Sequence, residues 1–112
     1  MVSDNLEGDN SKIIMDRAIP FMESAIEKKQ PFFSVIWLHT PHLPVVADEE
    51  HRERYGGFSH EEKLYYGTIT AMDEQVGRLW SRLQALGVAD NTMLWFCSDN
   101  GCLLYTSDAA DE

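Results

Sequence analysis

PFFSVIWLHTPHLP, Pro31 to Pro44, is the stretch around which the chain is organised. Phe32 to Leu38 is an almost unbroken apolar run of aromatic and β-branched residues, the composition of a buried strand. It stops at His39-Thr40-Pro41-His42-Leu43-Pro44. Prolines at 41 and 44 can neither continue a central strand nor lie inside a helix, so the chain must turn out of the sheet. Two imidazoles, His39 and His42, are thereby delivered at the carboxyl end of a core strand. In open α/β sheets that edge is where ligands bind.

Upstream, Ile13, Ile14, Ala18, Phe21, Met22, Ala25 and Ile26 recur at three- and four-residue steps and predict a helix from Ser11. Asp9, Asn10 or Ser11 suits its start, and Lys28 and Lys29 suit its end. Pro20 falls in its interior and predicts a kink or an irregular first half. Downstream, Ala47 to Ser59 carries charges and Gly56-Gly57 with no period, and reads as a surface loop. Ser59-His60-Glu61-Glu62 is then a capping box. Behind it an apolar stripe runs through Leu64, Tyr65, Ile69, Met72, Val76, Leu79, Trp80, Leu83 and Leu86, and Gly87 is its stop signal. Thr92 to Cys97 reads as a second buried strand, ending in the turn residues Ser98-Asp99-Asn100-Gly101.

Strand, crossover helix and strand make a β-α-β unit, whose strands are parallel. The expected fold class is therefore α/β. Parallel strands place their carboxyl ends at one edge, so His42 and Asp99-Asn100 are expected on the same side of the sheet. Asp and Asn in a tight turn before glycine offer hard oxygen ligands suited to Ca²⁺ or Mg²⁺. The plainer reading of Asp99-Asn100-Gly101 is a loop signal, and of a histidine beside prolines, a turn residue. As chemistry, His42 is a candidate general acid or hydrogen-bond donor to an anion.

Composition sets the outer limits. With 112 residues the chain can form one small domain; 44% hydrophobic and 25% charged residues are ordinary for a globular protein. A formal net charge of -10 argues against a nucleic-acid partner, which would select a basic face. Cys97 and Cys102 are too few for a disulfide framework and are not spaced as a zinc site. No apolar run reaches the span of a membrane helix, and no basic-then-apolar leader opens the chain. Oligomeric state is not legible.

The series PFFSVIWLHTPHLP, then TITAMDEQVGRLWSRLQALGVADNT, then MLWFCSDNG resembles the middle of the catalytic domain of the sulfatase family, arylsulfatase-like members of the alkaline phosphatase superfamily. The resemblance covers about Asn10 to Gly101, in order and with similar spacing. It implies a fragment of a sulfatase-type α/β sandwich. It also implies a parent enzyme that hydrolyses sulfate esters with a divalent metal, Ca²⁺ by family expectation and Mg²⁺ as the other option. His42, in the H-x-P position, resembles the family histidine that contacts the ester and protonates the leaving oxygen. Asp99 and Asn100 resemble two metal ligands, and His39 stands as a candidate for the substrate pocket. The family nucleophile is a formylglycine made within C/S-x-P-x-R, and the family location is periplasmic, secreted or lysosomal.

The departures from that pattern are specific. No C/S-x-P-x-R occurs here, and the family's paired N-terminal aspartates and the lysine downstream of SDNG are missing. Cys97 lacks a following proline and arginine and reads as a core cysteine. The expectation is a partial catalytic domain over residues 1–101 that does not turn over substrate by itself. Residues 102–112, Cys102 to Glu112, resemble a translated sequencing-library adapter and are expected to be a non-native tail. Two other readings stay open: a fragment of a related phosphate or phosphonate ester hydrolase, or a non-catalytic binding module.

Overall fold

The computed structural model describes residues 10–99, and these form helices joined by irregular backbone. Helix α1 spans Ser11–Glu27, α2 spans Glu49–Glu53 and α3 spans His60–Ala85; a 3₁₀ turn follows at Ala89–Asn91. The adapter-like tail, 102–112, and the candidate ligand Asn100 lie outside the described residues.

Helix α3 begins as its residues dictate. The Ser59 hydroxyl accepts from the Glu62 N–H at 3.3 Å, and the Glu62 carboxylate accepts from the Ser59 N–H at 3.0 Å. These reciprocal bonds hold the Glu62 carboxyl below its ordinary pKa, the backbone bond being the larger cause. At the other end Gly87 takes φ +70°, Val88 N–H donates to Leu83 C=O, and Gly87 N–H donates to Gln84 C=O. That is a left-handed helix stop, which glycine enters without a Cβ penalty.

Helix α1 runs unbroken through Pro20. Pro20 lies on the exposed face, where the carbonyl freed by its missing N–H can meet water. Asn10 is the N-cap residue without a side-chain cap bond, and Lys29 closes the helix at φ 53°.

Met15, Ile19 and Met22 project from α1 at four- and three-residue steps and meet Leu79 and Leu83 of α3. Ala18, Ile26, Phe32, Ile36, Val88 and Ala89 close around this cluster. Burying each large side chain is worth about 1.5–3 kcal/mol, so this seam is the main cohesion between the helices. Two ion pairs flank it, Arg78 to Asp16 at 2.6 Å and Arg82 to Glu23, in the same order along both helices. The Arg78 hydrogen bond is the first cause of a lowered Asp16 pKa.

The α/β expectation is corrected here. Among the described residues no strand forms, so the parallel β-α-β unit is not present. Residues 32–38 alternate in exposure, with Phe32, Ser34, Ile36 and Leu38 turned partly inward and Phe33, Val35 and Trp37 exposed. Met93 to Phe96 are all exposed, Trp95 at 83%. An apolar run reports a preference for burial, whereas a strand also requires a hydrogen-bonded neighbour. Neither segment has one among the described residues. Cys97 is exposed as well, so it is not a core cysteine.

Candidate functional site

The turn after residue 38 forms where the prolines required it. His42 N–H donates to the His39 carbonyl at 2.8 Å, and both Thr40-Pro41 and Leu43-Pro44 are cis. This brings the two imidazoles together, ring centroids 5.1 Å apart and tilted 44°. Both histidines are exposed. His42 Nδ1 lies 2.8 Å from the Leu43 carbonyl oxygen. A carbonyl only accepts, so Nδ1 carries the proton and Nε2 is left for an incoming group. Protonated, Nε2 is a donor; neutral, it is an acceptor.

Asp99 is exposed at the end of the second extended segment. With no ladder between the segments, the parallel-strand reasoning that placed His42 and Asp99 at one edge lapses. The carboxylate oxygens of Asp99 have the right chemistry for a hard cation, but one carboxylate does not make a site. Among the described residues no group of three or more His, Cys, Asp or Glu side chains could hold a metal ion. The described residues therefore do not by themselves fit a metal centre.

A second polar cluster escaped the sequence reading. The segment read as a loop contains α2, capped by Asp48, whose Oδ1 accepts from the His51 N–H at 3.1 Å. The same Oδ1 contacts His51 Nδ1, while His51 Nε2 lies 2.9 Å from Glu74 Oε2 on α3. Arg54 Nη1 donates to Glu74 Oε1 at 2.7 Å, tying the same carboxylate to the end of α2. The ring is pulled both ways. Burial is the largest single influence and disfavours its charge, yet the carboxylate hydrogen bonds and charges together raise its pKa. Glu74 is held below its ordinary value, first by the His51 hydrogen bond. For Asp48 burial is the largest influence and raises the pKa, but the hydrogen bonds from His51 outweigh it and the net shift is downward.

Close backbone approach makes this docking possible. A Cβ on Gly67 would lie 3.0 Å from Ala47 Cβ and 3.3 Å from both Arg52 N and His51 C. Asp48-Glu49-Glu50 was the available signal: an Asp followed by acidic residues marks a helix start. At five residues α2 shows no hydrophobic period that could have flagged it.

No helix among the described residues is long and apolar enough to cross a membrane. The sulfatase family model matches residues 2–111. The chain is 30% identical over 100 residues to the uncharacterized sulfatase YdeN of Escherichia coli, covering 88% of this chain and 18% of that protein. It is 29% identical over 106 residues to N-acetylgalactosamine-6-sulfatase of Rattus norvegicus, covering 90% of this chain and 18% of the relative. It is also 29% identical over 112 residues to an ulvan-active sulfatase of Formosa agariphila, covering 85% of this chain and 22% of the relative. The chain thus spans about a fifth of the length of these relatives. No solved structure matches it significantly. With the family model matched along nearly its whole length, the chain belongs to the sulfatase family.

Proposed function

We propose that this chain is a piece of the catalytic domain of a sulfate-ester hydrolase and that His42 is its contribution to the chemistry. The family match over residues 2–111 carries the reading. The geometry of His42 supports the assigned role. Its Nδ1–H is committed to the Leu43 carbonyl, and its Nε2 is exposed on a proline-bounded turn. In this reading the imidazolium Nε2–H donates to the ester oxygen as the S–O bond breaks, so the leaving group departs as a neutral alcohol. His39, beside it, belongs to the substrate pocket.

Asp99 and Asn100 are assigned as two oxygen donors of a divalent-cation site, Ca²⁺ in the first instance, whose remaining donors lie elsewhere in the protein. The formylglycine nucleophile is likewise assigned outside this chain, which by itself is expected to be inactive. A periplasmic, secreted or lysosomal location goes with the family.

The test is His42→Ala in the full-length protein encoded by the reading frame, assayed on an aryl sulfate. General-acid catalysis contributes roughly 10²- to 10⁴-fold, so kcat is expected to fall by that order. A leaving group that needs no protonation should recover much of the loss. Unchanged kcat on a poor leaving group would overturn the role of His42. Hydrolysis of phosphate esters in preference to sulfate esters would move the protein to the phosphate or phosphonate branch.

A further inference from the structure

Both ring nitrogens of His51 face carboxylate oxygens, Nδ1 against Asp48 Oδ1 and Nε2 at 2.9 Å from Glu74 Oε2. A neutral imidazole has one N–H and one lone pair. It can satisfy one carboxylate, but then sets a lone pair against the other. Only the imidazolium donates to both. The ring is 11% exposed, whereas the carboxylates are 49% and 42% exposed, so water reaches the acids more readily than the ring between them.

The neighbouring charges reinforce the arrangement. From α2, Arg54 bonds Glu74 Oε1 at 2.7 Å and Glu50 at 3.4 Å, and the positive charge of Arg52 acts on Asp48. From α3, Glu74 is the acid that faces the ring. Glu74 is shared by His51 and Arg54, and so spans the gap between the two helices at two points. The contact lies where α2 approaches Gly67, and Ala47, buried against that glycine, is five residues from His42.

We propose that Asp48, His51 and Glu74 form a proton-dependent clasp that holds α2 on α3 and fixes the segment from the His39–Pro44 turn to Ala47. The clasp is closed while His51 is protonated and both acids are ionised. His51 has a raised pKa, so its contribution is complete below about 6.5 and is lost as the pH rises through the higher folded value. Asp48 and Glu74 have lowered pKa values, so theirs is present above about 3.8 and 4.5 and is lost on acidification through the lower folded values. The clasp therefore has an acid limit and an alkaline limit. It stands independently of the sulfatase reading.

The experiment is a pH titration of the ¹⁵N-labelled full-length protein encoded by the reading frame, following the imidazole nitrogens of the four histidines of this chain and amide exchange in α2. His51 is expected to titrate above its ordinary value of 6.5 and to show protons on both ring nitrogens on the acid side. The Arg52 amide, which donates to the Asp48 carbonyl, is expected to lose protection across the His51 titration. The loss should be about tenfold for each unit by which the His51 pKa exceeds its unfolded value. Glu74→Gln removes one charge at nearly constant shape and should lower the His51 pKa and abolish the step. A His51 that titrates at or below its ordinary value of 6.5, or an Arg52 amide without a step, would overturn the clasp. So would Glu74→Gln behaving as wild type, or α2 amides unprotected at every pH.

Discussion

Replacing Gly67 with alanine sets two effects of opposite sign against each other. In the interior of a helix Gly→Ala is favourable by about 1 kcal/mol, because alanine loses less backbone entropy. At position 67 the new methyl would lie 3.0 Å from Ala47 Cβ and 3.3 Å from two backbone atoms of α2. Those backbone atoms cannot rotate away, so relief requires α2 to move as a unit and stretches the 2.9 Å contact between His51 and Glu74. Overpacking of this kind costs about 1–3 kcal/mol. With the loss of the clasp contact added, the net expectation is a destabilisation of about 1 kcal/mol or more in the docking of α2. Gly77 is the control within the same helix, since nothing lies within 4 Å of a Cβ built there. Gly77→Ala should be neutral or stabilising by up to about 1 kcal/mol. Urea unfolding followed by circular dichroism gives the global effect, and amide exchange in α2 gives the local one. Gly67→Ala stabilising the chain as much as Gly77→Ala, with α2 protection intact, would refute the close-approach reasoning.

Other outcomes follow from the same geometry. Leu83→Ala removes a side chain only 2% exposed and should cost about 2–5 kcal/mol in urea unfolding. Ser59→Ala removes half of the capping box and should cost about 1 kcal/mol, read as fraying of the first turn of α3 by amide exchange. Gly87→Ala forces a Cβ into φ +70° and should cost about 1 kcal/mol by the same unfolding assay. Asp16 has a lowered pKa, so its contribution to the α1–α3 seam is present above about 3.8 and lost as the pH falls through the folded value. Asp16→Asn should flatten that acid limb in a pH series of urea midpoints.

The parts of the fold legible in the residues are those governed by local chemistry. The start of α3 was readable because Ser59 and Glu62 satisfy each other's neighbouring N–H groups within one turn, and its end because only Gly87 fits the left-handed stop. Periodicity identified α1 as a helix but misplaced its buried face: Met22 was expected inward and is buried, whereas Met15 and Ile19 were not foreseen and Phe21, expected inward, is exposed. Pro20 proved tolerable because it lies on the solvent side. The extended segments failed as strands for the opposite reason. Pairing is non-local, and Phe33, Val35 and Trp37 carry the composition of a strand without a hydrogen-bonded neighbour among the described residues. In the candidate site, the proline-bounded turn that brings His39 and His42 together was foreseeable from the spacing of Pro41 and Pro44. Its expected proximity to Asp99 depended on parallel strands and fell with them. The His51 cluster lay hidden because its two acids are 26 residues apart in sequence and meet only through the notch at Gly67.

The most direct test of the proposed chemistry is a comparison of kcat/KM for one aryl alcohol presented to the full-length protein as its sulfate and as its phosphate. A clear preference for the sulfate, lost or strongly reduced in His42→Ala, is the predicted result. Preference for the phosphate, or no turnover of either ester by a folded full-length protein, would contradict the sulfate-ester reading.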